Sequence, residues 1–328
     1  MLLKLFKSNH PIVIFLIPLV GIVLWIPSLF NLSDNVDVQN LGNTTFVFNW
    51  LMGLLSFHPK FPTIFALILV IVESYILLQL NFKYIFIDNK TYLPSVLFVV
   101  FASTLSSYQV FYPLLVGNFF ILLALERAFL IDKSKNHFKR YFESGFFLGL
   151  GALFYPNIYT IIIIVWLTLF LLRTFNWREW FSSILGLFTP FTFYLAILFL
   201  TDRLDGVYEK LATILFQPKL GISFSFYSQI ALVVVGIIVL IAIFYVVRPE
   251  GGKKIFIRKY HNLFFWFVIY LIALFLINPS IGYELTITLA IPLSIICSVF
   301  FTKIKSKWMS EVVFGLTLLG VFVIIWFH

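Results

Sequence analysis

The sequence predicts an all-α protein, a polytopic transmembrane helical bundle of about 11 spans with two extracytoplasmic interfacial helices. Three observations support this class. Hydrophobic residues make up 61% of the 328 residues, charged residues make up only 11%, and the mean hydropathy is +1.03. These values lie far outside the range of soluble globular domains. No repeat or low-complexity tract divides the chain, so we expect residues 1–328 to form a single integral membrane domain.

Apolar runs near the length that crosses a bilayer predict the individual spans. The first run follows Lys4 and Lys7, as in a signal peptide, but it is long enough to cross and no small-residue cleavage site follows it. We therefore expect it to be kept as the first span. The third and fifth runs are short, which predicts a re-entrant segment or a broken helix. The expected spans are 11–30, 62–82, 92–106, 112–131, 142–154, 156–174, 180–201, 226–247, 261–278, 284–301 and 309–327.

The basic residues predict the orientation of the chain. With the N-terminus in the cytoplasm, 19 of the 23 Lys and Arg residues fall on the inner side, as the positive-inside rule describes. We therefore expect a cell inner membrane protein with a cytoplasmic N-terminus and an extracytoplasmic C-terminus. The net charge of +9 comes from short clusters between apolar runs, so it does not indicate nucleic-acid binding. Cys297, the single cysteine, excludes an internal disulfide and a cysteine metal cluster.

Two longer segments, 31–61 and 202–225, connect spans on the predicted outer side. Each contains apolar residues at helical spacing, which predicts a short amphipathic helix in the membrane interface. In the second segment, Asp202 is placed as the N-cap and Pro218 lies beyond the end. The apolar residues are Val47, Leu51, Leu54 and Leu55 in the first segment and Leu204, Val207, Leu211, Ile214 and Leu215 in the second.

The side chains that can carry chemistry collect on this outer side. Asp34 and Asp37, at the start of the first outer segment, are the candidate catalytic acids. Each candidate also has an ordinary role: acids cap turns, bases snorkel or pair with neighbouring acids, and tyrosines form the interfacial belt. The candidate substrate-binding residues are Arg203, Lys210, Lys219, Tyr108, Tyr155, Tyr283 and Glu284.

An outer loop that opens with acids and continues into an interfacial helix resembles the C-type glycosyltransferases, which use polyprenyl-phosphate sugars. The glycine-rich short span, the outer turn with Pro156 and the long apolar span within Phe142–Leu172 are also similar to the middle of that fold. The resemblance covers residues 11–225 and rests on architecture. It implies that an acid of the first outer loop, Asp34 or next Asp37, is the catalytic base.

The chemistry of such an enzyme suits these residues. A carboxylate takes the proton from an acceptor hydroxyl as the hydroxyl oxygen attacks the anomeric carbon. The outer bases hold the lipid phosphate leaving group, and tyrosines stack on sugar faces. The expected partners are lipids, including a polyprenyl-phosphate sugar, and other membrane proteins; the sequence identifies no cofactor.

Glu73, near the middle of the second span, supports an alternative function. An acid at that depth is expensive and marks a functional site or a paired network, so a transporter with a mid-membrane site at Glu73 is the alternative. A non-catalytic membrane subunit of a cell-envelope complex, with an apolar face for its partner, is a further one.

Two other patterns predict structure alone. Glycines at a spacing of four favour close packing of membrane helices. Adjacent opposite charges near the inner end of the fourth span predict a local ion pair. The residues are Gly145, Gly149 and Gly151 for the first pattern and Glu126 with Arg127 for the second.

The length, the aromatic richness and the loop "FNWREW" followed by "GLFTPF" resemble an uncharacterised family of polytopic membrane proteins, some of them labelled carotene oxygenases. Such oxygenases hold iron with four histidines. Four histidines of this chain cannot converge on one metal, because three fall inside and two outside. We therefore reject the oxygenase label and expect no metal site. The inner histidines are His10, His137 and His261, and the outer ones are His58 and His328.

Overall fold

The computed structural model is entirely helical in the secondary structure that it describes. It describes residues 2–7, 11–30, 45–87, 90–105, 109–129, 137–172, 176–202, 212–215, 225–247, 255–278, 280–304 and 306–326. The helices are α1 (Leu2–Lys7), α2 (Ile12–Phe30), α3 (Phe46–Leu55), α4 (Phe61–Tyr84), α5 (Leu93–Ala102), α6 (Pro113–Phe129), α7 (His137–Phe154), a 3₁₀ segment (Pro156–Ile161), α8 (Ile162–Leu172), α9 (Trp177–Leu200), α10 (Phe226–Val247), α11 (Ile255–Ile277), α12 (Leu285–Lys303) and α13 (Lys307–Trp326).

The predicted all-α class is confirmed for the described residues, and their long apolar helices are consistent with a membrane bundle. Among the described residues, seven helices are long and apolar enough to cross a membrane: α2, α4, α9, α10, α11, α12 and α13. The other four expected spans also coincide with helices, which are shorter or more charged. The expected fifth span is not short, because α7 begins at His137 and runs for 18 residues.

Local sequence signals account for several helix starts. Pro62 and Pro94 lie in the first turns of α4 and α5, where a residue without a backbone N–H costs no hydrogen bond. The hydroxyl of Thr45 accepts a hydrogen bond from the backbone N–H of Phe48 and so caps α3. The side chain of Asn176 caps α9 in the same way.

The centre of the bundle is formed by α5 and α12, which pack against each other. Every residue of α5 is buried, and so is most of α12. Since α5 has only 10 residues, it rises about 15 Å, half the thickness of a hydrocarbon core. The helix of the third expected span is therefore short, and the described residues that follow it, 103–105 and 109–112, are not helical.

Buried polar side chains satisfy the backbone in this non-helical region. The Gln109 amide donates to the carbonyl oxygen of Ser103 at 2.8 Å and accepts from the Ser28 hydroxyl at 2.6 Å. The Trp25 indole N–H donates to the Ser103 hydroxyl at 2.8 Å. Irregular backbone within a helical bundle is tolerated where protein surrounds it, and Gln109 pairs the Ser103 carbonyl here.

The predicted glycine contact is present between α7 and α9, the most extensively packed pair of helices. A Cβ atom added at Gly145 would overlap the Ser183 carbonyl, and one at Gly186 would overlap the Phe142 carbonyl. Gly149 packs against α9 in the same manner, whereas Gly151 faces α6. The two helix backbones therefore touch, which only small residues permit.

The first predicted interfacial helix coincides with α3, and Leu51 and Leu55 of the expected apolar face pack partly buried against the core. Phe48 is fully buried, while Leu54, expected on the apolar face, is 50% exposed. Phe48 is buried because it stacks on Phe111 in the chain before α6. Of the second predicted helix, only residues 212–215 are described, and these are helical.

The peripheral helices present large apolar side chains to the outside of the bundle. Phe15 on α2, Phe193 on α9 and Phe244 on α10 are each at least 66% exposed. A surface of this kind is stable against acyl chains rather than water.

Candidate functional site at the Glu284 end of the bundle

A buried hydrogen bond joins two of the predicted substrate-binding residues, Tyr155 and Glu284. The Tyr155 hydroxyl donates to Glu284 Oε1 at 3.0 Å. Glu284 is fully buried and Tyr155 nearly so. We call the end of the bundle that holds this pair the Glu284 end.

The sequence around each residue explains its position. Pro156 cannot continue α7 and restricts the residue before it, so Tyr155 adopts an extended conformation between α7 and the 3₁₀ segment. Glu284 immediately precedes α12, where the helix dipole favours a carboxylate. The two side chains therefore meet between the end of one helix and the start of another.

Both longer connecting segments are attached next to this pair. The Thr45 hydroxyl, at the start of α3, donates to the carbonyl oxygen of Phe154 at 3.2 Å. The Ser280 hydroxyl, in the turn before Glu284, lies 2.6 Å from the carbonyl oxygen of Leu215 and 2.6 Å from Asn278 Oδ1, and its one proton is shared between these two acceptors. The described residues Thr45 and Leu215, one from each longer segment, therefore both contact the chain next to this pair.

A second polar pair lies deeper in the bundle. The Thr288 hydroxyl, one turn into α12, donates to Asn118 Oδ1 on α6 at 2.8 Å. Asn157 of the 3₁₀ segment is 3% exposed, and neither atom of its amide group has a hydrogen-bond partner among the described residues. Asn157 and Thr288 line the same small cavity beside Tyr155.

Glu73 lies elsewhere, between α4 and α6. Its side chain is fully buried. Within the described ranges, neither carboxyl oxygen makes a hydrogen bond that meets the usual distance and angle limits. The backbone of Phe119 is near enough to interact with this carboxyl but falls short of that geometry. The burial expected from its place in the second span is confirmed.

The other predicted site residues have different outcomes. Tyr283 is half-buried, and its ring packs on Phe275 at 5.7 Å between centroids, on the side of α11. The remaining candidates lie outside the described residues: Asp34, Asp37, Tyr108, Arg203, Lys210 and Lys219.

The expected local ion pair between Glu126 and Arg127 is wrong. Glu126 pairs with Lys83 of α4 at 2.8 Å, and Arg127 pairs with Glu143 of α7 at 3.5 Å. Neighbouring residues on a helix point in directions about 100° apart, so each reaches a different helix. These pairs tie α4, α6 and α7 together at the end opposite to Glu284.

Sequence reasoning missed Asn118, Asn157 and Thr288. A signal existed for Asn118, because an amide inside the apolar run "PLLVGNFFILLAL" needs a partner in the bundle. Thr288 carried a weaker signal, since a threonine can bond within its own helix. Among the residues that the structure describes, no three His, Cys, Asp or Glu side chains are grouped closely enough to hold a metal ion.

Comparisons with known proteins give one match. The chain matches no curated protein and no solved structure. A family model described as a family of unknown function, DUF6427, matches residues 58–328. This match agrees with the resemblance to an uncharacterised family and says nothing of a glycosyltransferase-like architecture. Since it covers most of the sequence, the chain belongs to the DUF6427 family of unknown function.

Proposed function

We propose that the chain crosses a cell inner membrane eleven times, with a cytoplasmic N-terminus and the Glu284 end on the outer side. The support is the positive-inside distribution of basic residues, 19 of 23 on one side. The Lys83–Glu126 and Arg127–Glu143 pairs, at the other end of the bundle, agree with this orientation.

We propose further that the Glu284 end carries a glycosyltransferase-like activity on a lipid-linked sugar. One observation supports this most strongly: hydrogen bonds attach both outer segments beside the Tyr155–Glu284 pair. The first segment contains the candidate acids, and the second contains the candidate bases. If both segments contribute to one site, they must lie close together, because the catalytic base and the groups that bind the leaving phosphate act on the same substrate molecule.

The proposed reaction is transfer of a sugar from a polyprenyl phosphate to an acceptor hydroxyl. The hydroxyl oxygen attacks the anomeric carbon, and the bond from that carbon to the phosphate oxygen breaks. The polyprenyl phosphate leaves with the electron pair, and Asp34 takes the hydroxyl proton. Arg203, Lys210 and Lys219 offer positive charge to the phosphate. Tyr155 and Glu284 form the buried support of the site.

The test uses membranes that contain the protein and a polyprenyl-phosphate hexose labelled in the sugar. We expect label to leave the lipid faster than in membranes without the protein. Asp34→Asn removes the base and is expected to lower this rate by about 10²–10⁴-fold. Equal rates with and without the protein would refute the proposed activity.

Asp202→Asn is the matched control. It removes another carboxylate on the predicted outer side, and Asp202 is exposed. Its φ of 52° is a left-handed conformation that asparagine adopts as readily as aspartate, so the backbone is not strained. The rate of this variant should equal that of the unmodified protein.

A transport function is the second candidate, because Glu73 is a fully buried acid. Among the described residues, its carboxyl oxygens make no hydrogen bond within the usual distance and angle limits. Acids of this kind line proton and ion pathways in membranes. Glu73→Gln keeps the shape and removes the acid. If this variant abolishes an energy-dependent uptake while Asp34→Asn does not, transport replaces transfer as the function.

A further inference from the structure

A small cavity beside Tyr155 has the size of one water molecule. The space open to the centre of a water-sized probe is about 10 Å³, close to the minimum that a bound water needs. Its walls come from α6, the 3₁₀ segment, α11 and α12. Most of the lining is apolar, but Tyr155, Asn157 and Thr288 contribute polar side chains.

The Asn157 side chain can both donate to and accept from a ligand in this cavity. Its amide nitrogen and oxygen are both buried, and neither is paired within the described part of the chain. The assignment of the two atoms does not matter here, because both lack a partner. Asn118 accepts the hydrogen bond from Thr288 through its Oδ1 atom, and its Nδ2 atom is also buried and unpaired among these residues. Each such group costs stability comparable to a lost hydrogen bond.

We propose that the cavity binds a water molecule held by Asn157 and Thr288. Asn157 presents a donor and an acceptor, and the Thr288 hydroxyl, which already donates to Asn118, keeps its lone pairs for a donor. Water offers two donors and two acceptors, so it satisfies both sides. A metal cation would leave the amide N–H groups unpaired, and an apolar ligand would leave every polar atom unpaired.

The bound water extends the polar pair of Thr288 and Asn118 to Asn157, in a cavity that Tyr155 also lines. Glu284 and Tyr155 form the first pair, and Thr288 and Asn118 form the second. With the water in place, hydrogen bonds run from Asn157 through the water and Thr288 to Asn118 on α6, beside the first pair. The water site goes beyond the proposed function and does not depend on it, because its evidence is the burial and the missing partners of residues that line the cavity.

The order of melting temperatures of two Asn157 variants tests the proposal in the purified full-length protein. Asn157→Leu keeps the branched shape, but its larger methyl groups cannot hydrogen-bond; they displace the water and leave Thr288 without its ligand. We expect it to lower Tm by about 2–6 °C. Asn157→Ser keeps a hydroxyl and leaves room for further water, so we expect a Tm between those of Asn157→Leu and the unmodified protein.

A dry cavity predicts the reverse order. Asn157→Leu would then remove two unpaired groups and raise Tm or leave it unchanged, while Asn157→Ser would enlarge an empty space and lower it. Ser95→Ala is the control, because the Ser95 hydroxyl is also buried and unpaired among the described residues but does not line the cavity. Its Tm should not fall.

A density map that shows ordered water gives a readout that does not depend on the folding of variants. A peak within hydrogen-bond distance of the Asn157 amide is the expected result. An empty cavity in such a map, or the dry order of melting temperatures, overturns the proposal.

Discussion

Gly186→Ala tests the crossing of α7 and α9 with a single methyl group. The added Cβ would overlap the carbonyl oxygen of Phe142 and lie 2.9 Å from the backbone nitrogen of Phe146. Both are backbone atoms of α7, so no side chain can rotate to make room, and the two helices must separate.

The expected cost follows from these contacts. Overpacking a well-packed interior costs about 1–3 kcal/mol, and a clash with rigid backbone belongs at the upper end. Alanine returns at most about 1 kcal/mol through its better helix propensity. We therefore expect Gly186→Ala to lower the free energy of unfolding by about 2 kcal/mol.

Gly236→Ala is the matched control, because a Cβ at Gly236 meets nothing within 4 Å. This variant is expected to be neutral or stabilising by up to about 1 kcal/mol. The Tm values of the two variants should differ by about 5 °C. Thermal unfolding in detergent, followed by tryptophan fluorescence, measures them; Trp166 and Trp180 stack beside the crossing. Equal Tm values would refute the close backbone contact.

Three further substitutions probe single interactions, and the same unfolding assay measures each. Tyr155→Phe removes a buried hydrogen bond to Glu284 and should cost about 1–3 kcal/mol; an unchanged Tm would contradict that bond. Trp25→Phe loses the indole hydrogen bond to the chain after α5 and should cost at least about 1 kcal/mol; a Tm equal to that of the unmodified protein would contradict it. Lys83→Met breaks a partly exposed pair with Glu126 and should cost less than about 1 kcal/mol, with a smaller effect in high salt. A larger loss that does not depend on salt would contradict a solvent-exposed pair.

The sequence predicts the helices of this protein well because long apolar runs have one stable conformation in a membrane. The run 226–247 coincides with α10 at both ends, for example. Helix ends are predicted less well where polar residues extend a helix beyond the apolar run, as at His137. The glycines of α7 predict a close contact, but no pattern on α7 identifies α9 or Gly186 as its partner.

The candidate site could be predicted only in part, for a related reason. Tyr155 and Glu284 stand out as polar residues in short outer turns, yet 129 positions separate them, and their pairing depends on how the helices assemble. Asn157 belongs to the same turn as Tyr155, and its importance comes from burial without a partner, which hydropathy does not reveal. Glu126 and Arg127 show the same limit, because their adjacency in sequence predicts a local pair, whereas each residue pairs with a neighbouring helix.

The most direct test of the central claim measures sugar release from the labelled polyprenyl-phosphate hexose by Asp34→Asn, Glu284→Gln and the double variant. If both residues serve one site, as the attachment of the outer segments beside Glu284 suggests, their effects are not additive. We predict that the double variant releases sugar about as fast as the slower single variant, with all three proteins folded. A Glu284→Gln variant as active as the unmodified protein, or a double variant slowed by the product of both effects, would contradict the claim.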